Sequence, residues 1–131
     1  MRLLLDTQAL LWWMADSPRL GPKARELIAD AASDVWVSVA SAWEIAIKVG
    51  LGRLDLSEPA HECFPRELER GGFEILPIGL EHALSVDSLP YHHRDPFDRM
   101  LIAQARMEGL RIVTADRLFA AYSVDLIDAL N

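Results

Sequence analysis

The chain has 131 residues, of which 51% are hydrophobic and 25% charged, a composition typical of one globular domain with a buried core. The formal net charge of -7, from 20 acidic residues against 13 lysines and arginines, excludes a protein that holds nucleic acid by bulk positive charge. It does not exclude an enzyme whose acids surround a metal ion, because a bound cation reverses the local sign of the charge.

Cysteine usage and hydropathy indicate a cytoplasmic protein. The single cysteine, Cys63, cannot form an internal disulfide, which fits a reducing compartment. No stretch approaches the roughly 18 apolar residues that a membrane helix needs. The apolar start of the chain is interrupted at Asp6 and lacks a small-residue cleavage site, so we expect neither a signal peptide nor a membrane anchor.

The first half of the chain alternates predicted strands and helices. Residues 3–5 are a continuous apolar run typical of a strand buried on both faces, and residues 35–38 are rich in strand-forming side chains. Apolar residues recur at helical spacing in three segments, and we predict helices over residues 7–15, 22–32 and 39–49.

The second half continues this alternation. We predict a helical segment over residues 55–72 that is interrupted at Pro65. The remaining elements are a strand over 73–76, a short helix over 80–86, a helix from Pro96 to about 108, a strand over 111–114, a helical turn over 118–122 and a strand over 124–127. The order predicts an α/β sandwich of three layers, with helices flanking a mostly parallel central sheet, in one domain spanning residues 1–131.

Two carboxylates mark the start of the helix at Pro96. Proline suits the first position of a helix, so Asp95 is predicted to be the N-cap and Asp98 to lie in the first turn. The unpaired N–H groups and partial positive charge of a helix start favour ionised carboxylates there.

Three further acids are predicted to meet this loop. Asp6 follows the first strand, Asp116 follows the strand over 111–114, and Glu44 lies about one and a half turns into a helix that follows another strand. In a parallel sheet the carboxyl ends of the strands and the amino ends of the helices share one edge, where ligands bind. Asp95 and Asp98 point to the same edge. Oxygen ligands without paired cysteine or histidine suit Mg²⁺ or Mn²⁺ and predict activation of water at a phosphate.

Each acid also has a purely structural interpretation. Asp95 and Asp98 are common helix-start residues, and Asp116 suits a turn after a strand. Ser41 and Glu44 match a capping box, although the helix is predicted to start nearer residue 38. The metal-site prediction therefore depends on all the acids lying at one edge.

Four blocks of sequence carry a resemblance to a known family. They are Leu-Leu-Leu-Asp-Thr-Gln-Ala-Leu-Leu-Trp-Trp at 3–13, Ser-Val-Ala-Ser-Ala-Trp-Glu-Ile-Ala-Ile-Lys at 38–48, His-His-Arg-Asp-Pro-Phe-Asp-Arg at 92–99 and Val-Thr-Ala-Asp at 113–116. Together and in this order they resemble PIN-domain ribonucleases of the VapC toxin type. The resemblance covers nearly the whole chain.

The resemblance implies a catalytic metal site. Its metal-binding acids would be Asp6, Glu44, Asp98 and Asp116, with Asp95 as a further ligand or as a support for the ligands. The cofactor would be Mg²⁺, with Mn²⁺ as a possible substitute.

The resemblance also implies supporting residues. Thr7 and Thr114 match hydroxyl positions that orient the acids or a water. Four cations lie near the site in sequence and are candidates either for gripping the RNA backbone or for a solvated face. They are Lys48, Arg94, Arg99 and Arg117.

The function implied is that of an Mg²⁺-dependent endoribonuclease toxin of a toxin–antitoxin pair. A VapB-type antitoxin would block the acidic groove, often with a basic side chain, and homodimers are common in the family. Trp12 and Trp13 are candidates for dimer contacts or for plain core packing. Residues 55–72 are the least family-like part and a candidate wall of the substrate groove.

Other functions fit the sequence less well. An aspartyl phosphatase would want a second acid at position 8, where Gln8 stands, and DNA flap nucleases are larger. A catalytically silent PIN-like module that binds RNA or protein is the main alternative, and the presence of all the acids argues against it. A structural zinc site lacks ligand spacing in its candidate residues, His61, Cys63, His92 and His93.

Overall fold

A computed structural model describes residues 1–131 and contains a five-stranded sheet. The strands are β1 (Arg2–Leu5), β2 (Asp34–Ser38), β3 (Glu74–Leu76), β4 (Arg111–Thr114) and β5 (Leu126–Asp128). They pair in the order β3-β2-β1-β4-β5, and every pairing is parallel. The predicted α/β class with a mostly parallel sheet is confirmed.

Six helices connect the strands. They are α1 (Thr7–Met14), α2 (Pro22–Ala29), α3 (Val39–Gly50), α4 (Ala60–Gly71), α5 (Leu80–Ser85) and α6 (Pro96–Glu108), with short 3-10 turns at Val86–Ser88 and Arg117–Ala121. No helix is both long enough and apolar enough to cross a membrane.

The central strand β1 separates two hydrophobic clusters, as its unbroken leucine run predicts. Leu3 and Leu5 belong to one cluster and Leu4 to the other, since successive side chains of a strand point to opposite faces. The first cluster includes Leu10 of α1, and the second includes Leu101 of α6. Helices thus cover both faces of the sheet and form the outer two of three layers.

The structure corrects the predicted interruption of the fourth helix. Helix α4 continues through Pro65 instead of breaking there, and residues 55–59 precede it without being helical. Proline has no N–H to donate to the carbonyl of His61, four residues earlier, and its ring crowds that carbonyl. Both residues are exposed, so water can satisfy that carbonyl.

Two other boundaries differ by a few residues. Helix α2 ends at Ala29 because Asp30 starts a turn, in which its carboxylate accepts the N–H of Ala32. The last strand begins at Leu126, two residues later than predicted, because the N–H of Val124 is used in a turn to the carbonyl of Tyr122.

The parallel arrangement brings the carboxyl ends of all strands to one edge of the sheet. Asp6 follows β1 directly, Asp116 follows β4, and Asp95 caps the start of α6. The fold therefore delivers these acids to the same edge.

Candidate active site

Asp6 lies at the junction of β1 and α1 and is 6% exposed. As the N-cap of α1, its Oδ1 accepts the N–H of Ala9 at 2.7 Å. Burial raises the pKa of Asp6 from 3.8 to about 6. Hydrogen bonds from Thr114 and Ala9 lower this pKa, whereas repulsion from Asp116 and Glu44 raises it. Asp6 is thus a buried carboxylate whose charge the protein only partly stabilises.

Glu44 lies inside α3 rather than at its start. The N-cap of that helix is Ser38, so the capping-box interpretation of Glu44 does not apply. The Thr7 hydroxyl donates to Glu44 Oε1 at 2.7 Å and lies 3.0 Å from Ser41 Oγ. Lys48 Nζ lies 2.7 Å from Glu44 Oε2. The buried Glu44 carboxylate is therefore fixed at both oxygens.

The predicted start of α6 is confirmed, with Asp95 at the N-cap and Asp98 in the first turn. Asp95 Oδ1 accepts the N–H groups of Phe97 and Asp98 and stays exposed. Asp98 is half-buried, and burial raises its pKa from 3.8 to about 7. Repulsion from Asp95 and from the three other acids of the site raises this pKa further.

Asp116 is oriented by donors on both carboxylate oxygens. Oδ1 accepts the N–H of Leu118 at 2.9 Å, and Oδ2 lies 2.8 Å from Nε2 of His93. The Asp116 N–H donates to the Thr114 hydroxyl at 3.0 Å. One ligand atom from each of His93, Asp98 and Asp116 lies within 4.8 Å of the others.

The structure thus adds a histidine to the predicted acids. In the sequence His93 is a candidate only for a zinc site, and no pattern links it to Asp116 across 23 positions. The group of possible ligands contains neither His61 nor Cys63, and both lie in α4. The zinc alternative therefore lacks the ligands that it would need.

The chemistry of these donors fits a divalent cation. Asp6 and Glu44 are coupled electrostatically to Asp98, and Asp6 also to Asp116. Carboxylate oxygens suit Mg²⁺ or Mn²⁺ better than a closed zinc site. A cation would remove the mutual repulsion that raises the pKa of Asp6 and of Asp98.

The predicted cations differ in their surroundings. Lys48 and Arg94, with Arg53, line a cavity of about 370 Å³ beside Glu44. Arg117 is exposed immediately after Asp116.

Arg99 is buried, unlike the other three predicted cations, which are exposed. It is 3% exposed, and its guanidinium donates to the carbonyls of Pro90, Val86 and Leu89 at 2.8, 3.0 and 3.2 Å. It also lies 4.0 Å from the ring centroid of Tyr91. Arg99 thus ties the loop before α6 to that helix and stands apart from the other cations.

Replacing Arg99 by Ala should destabilise the protein by roughly 2–4 kcal/mol, because it empties the space of a buried side chain and leaves three carbonyls, of which that of Leu89 is buried, without their donor. Urea unfolding would measure the loss. Arg106→Ala, an exposed arginine of the same helix, is the matched control and should change stability by less than about 0.5 kcal/mol. Equal effects of the two substitutions would contradict this role for Arg99.

The tryptophans divide between the core and the surface. Trp12 and Trp13 pack against the first hydrophobic cluster, and Trp13 lies 5.5 Å from the ring of Phe73. Trp43 is 59% exposed and meets the ring of Phe97 edge-on at 5.3 Å, next to the acids of α6. The environment of Trp13 favours the core-packing alternative for that residue.

The parallel sheet and the acids at its carboxyl edge together define a PIN domain. The PIN domain family model matches residues 3–125, and the chain belongs to this family. It is similar to Ribonuclease VapC16 of Mycobacterium tuberculosis, with 37% identity over 70 residues, or 50% of this chain and 48% of the relative. It is also similar to Ribonuclease VapC22 of the same organism, with 27% identity over 118 residues, or 88% and 87% of the two chains. The resemblance predicted from sequence is confirmed.

Solved structures share the fold. A VapBC2 structure from Rickettsia felis, bound to a promoter DNA fragment, matches with a TM-score of 0.73 and 17% identity over 97% of this chain and 98% of that chain. A FitAB structure bound to an IR36 DNA fragment matches with a TM-score of 0.68 and 18% identity over 98% and 96% of the two chains. At these identities the likeness shows the fold alone.

Proposed function

We propose that residues 1–131 form a single PIN domain that acts as a metal-dependent endoribonuclease toxin. The observation that carries the proposal is the convergence of the acids at one sheet edge, where the pKa of Asp6 is raised to about 6 and that of Asp98 to about 7. The names of VapC16 and VapC22 support RNA as the substrate. An RNA substrate and the lone cysteine support a cytoplasmic location.

The metal would be held by Asp6, Glu44, Asp98 and Asp116, with Asp95 assisting at the start of α6. Mg²⁺, or Mn²⁺ in its place, would neutralise charge at the scissile phosphate and activate water for attack. The protein's own contribution is orientation of the carboxylates through buried donors. Two helix starts, those of α1 and α6, favour the ionised form of the acids that cap them.

Hydroxyl groups and a lysine hold the acids in place. Thr7 donates to Glu44, and Lys48 neutralises the other oxygen of that carboxylate. Thr114 bonds to the backbone of Asp116 and lowers the pKa of Asp6. Such supports around metal ligands maintain affinity and geometry.

The RNA backbone would follow the cationic cavity beside Glu44. Lys48, Arg53 and Arg94 line this cavity together with Glu44 and Asp95, so cations outnumber carboxylates there and can attract phosphates toward the acidic site. Arg117 is a further candidate contact beyond Asp116.

Neutralisation by a VapB-type antitoxin is part of the same proposal. The structural neighbours from Rickettsia felis and Salmonella typhimurium are VapBC complexes, which supports a partner of this kind. A basic side chain of the antitoxin would complement the acidic rim. A cavity of about 580 Å³ between α1 and the segment 54–67 offers a second, partly apolar surface for its chain.

A homodimer is proposed on the resemblance to the VapC family and on one surface of α3. Large apolar side chains stand exposed along that helix four positions apart, so they form one stripe. They are Val39, Trp43 and Ile47, with Leu51 at the C-cap. Val39 and Trp43, which do not line the cavity proposed for RNA, suit contact with a second copy.

The decisive experiment is cleavage of total cellular RNA by the purified protein with Mg²⁺, beside the same protein with EDTA and an Asp6→Asn variant. Asparagine can still accept the N–H of Ala9, so this variant keeps the helix cap and loses only the charge. We expect discrete fragments from the parent protein and none in either control.

The other outcomes separate the alternatives. Absence of cleavage by folded, metal-loaded and antitoxin-free protein would favour the silent RNA- or protein-binding module. Cleavage that survives both EDTA and Asp6→Asn would contradict the metal-dependent mechanism.

A further inference from the structure

His93 is enclosed by two aromatic residues and both of its ring nitrogens have partners. It is 6% exposed, stacked on Tyr122 with centroids 5.5 Å apart and tilted against Phe119 at 4.7 Å. Its Nδ1 lies 3.2 Å from the Tyr122 hydroxyl, and its Nε2 lies 2.8 Å from Asp116 Oδ2. The backbone N–H of His93 also donates to the Tyr122 oxygen at 2.9 Å.

These contacts assign a direction to the hydrogen bonds. The Tyr122 oxygen accepts the backbone N–H, so its own proton is free to donate to Nδ1 of His93. A neutral imidazole that accepts at Nδ1 carries its proton on Nε2, which then donates to Asp116. The tautomer is thus inferred from the network, which runs from Tyr122 through His93 to Asp116.

We propose that His93 is a positioning residue for the metal centre, fixing the orientation of the Asp116 carboxylate through the Nε2–H···Oδ2 hydrogen bond. The inference rests on the proposed metal site. The carboxylate can rotate about its Cβ–Cγ bond unless both oxygens are held, and Leu118 N–H holds only Oδ1. His93 supplies the second donor, while Tyr122 and Phe119 prevent its ring from turning away.

If His93 only filled space between its aromatic neighbours, its ring nitrogens would not be needed. Phenylalanine would fill much of the same space between Tyr122 and Phe119, but it has no donor for Asp116. Glutamine places an amide N–H close to the position of Nε2 and can restore that donor. The pair of substitutions therefore separates packing from hydrogen bonding.

The test is Mn²⁺ binding to the full chain, measured by electron paramagnetic resonance of the free ion in the absence of RNA. His93→Phe should weaken Mn²⁺ affinity by roughly 10-fold to 100-fold, as expected for loss of a residue that supports a ligand. His93→Gln should recover most of the affinity. His92→Phe is the matched control, because the adjacent His92 is exposed and contacts Tyr122 edge-on but not Asp116. It should bind Mn²⁺ as the parent does.

Thermal unfolding of each variant shows whether it is folded. If His93→Phe does not fold, Tyr122→Phe keeps the ring and removes only the hydroxyl that sets the tautomer. It should weaken Mn²⁺ affinity relative to the parent, and unchanged affinity in that variant would then overturn the proposal.

Three further results would overturn the positioning role. Equal Mn²⁺ affinity of the parent and of folded His93→Phe would contradict it. Electron spin-echo modulation from a nitrogen bound directly to Mn²⁺ would show that His93 is a ligand of the ion. A parent protein that binds no Mn²⁺ would overturn the metal site as well. If the parent binds Mn²⁺, His93→Phe loses it and neither cleaves RNA, the proposed function fails while the positioning role stands.

Discussion

Asp98→Asn is expected to lower the rate of RNA cleavage by at least about 10³-fold, because metal ions contribute several kcal/mol of transition-state stabilisation and each 1.36 kcal/mol is a factor of ten. A carboxylate oxygen of Asp98 lies within 4.8 Å of one of Asp116. An amide oxygen binds a divalent cation more weakly than a carboxylate, and the net charge of the site becomes less negative. Both changes reduce the occupancy of the metal.

The same substitution should raise the melting temperature of the metal-free protein at pH 8. The Asp98 carboxylate is half-buried, faces four other acids and accepts no hydrogen bond from the protein, which is why its pKa is raised to about 7. At pH 8 it is ionised and repelled by its neighbours. A neutral amide removes that repulsion, so activity and metal-free stability should move in opposite directions.

Asp125→Asn is the matched control for this prediction. Asp125 is exposed and precedes β5, at the amino-terminal edge of the sheet and thus opposite the acids. The Asp125→Asn substitution makes the same change of charge away from the site, so it should alter neither the rate of cleavage nor the melting temperature appreciably. Loss of cleavage together with a lower melting temperature in Asp98→Asn would show that Asp98 supports the fold rather than the metal.

Much of the architecture follows from local patterns in the sequence. The three leucines of β1 fit only a strand covered on both faces, and both hydrophobic clusters meet there. Pro96 and Asp95 define the start of α6 because proline tolerates the first helical position and aspartate accepts the free N–H groups. These features are determined by residues close in sequence, so sequence reasoning can locate them.

Features that depend on distant contacts were not predictable. His93 meets Asp116 only because the loop before α6 folds over the end of β4, and nothing in either segment specifies that pairing. Arg99 looks like a surface cation in sequence, but carbonyls of the preceding loop surround its guanidinium. The order of the strands and the burial of these side chains are tertiary properties, which local propensity does not encode.

The metal-free protein should lose stability as the pH rises from about 4 to about 7. The pKa of Asp6 is raised to about 6 and that of Asp98 to about 7, both from 3.8. Between pH 3.8 and these raised values the folded state binds more protons than the unfolded state, so the free energy of unfolding falls with increasing pH. The contribution of the protonated Asp6 and Asp98 carboxyl groups to stability is complete below pH 4. It is lost as the pH rises through their folded-state pKa values of about 6 and about 7.

Added Mn²⁺ should reverse this trend by binding the ionised carboxylates. At pH 8 a concentration of 100 times the dissociation constant adds about 2.7 kcal/mol to the free energy of unfolding, or roughly 10 °C in melting temperature for a chain of this size. At pH 5 the ion must displace a proton from each carboxyl, which weakens binding about tenfold for Asp6 and about 100-fold for Asp98. The same Mn²⁺ concentration should then stabilise the protein little.

Melting curves at pH 5 and pH 8, each with Mn²⁺ or with EDTA, measure both effects in four samples. Asp98→Asn serves as the internal comparison, since it lacks one of the two titrating groups and should show a weaker dependence of metal-free stability on pH. Equal stabilisation by Mn²⁺ at both pH values would mean that the ion binds outside this carboxylate cluster. A metal-free melting temperature that rises from pH 5 to pH 8 would contradict the electrostatic repulsion on which the proposed metal site depends.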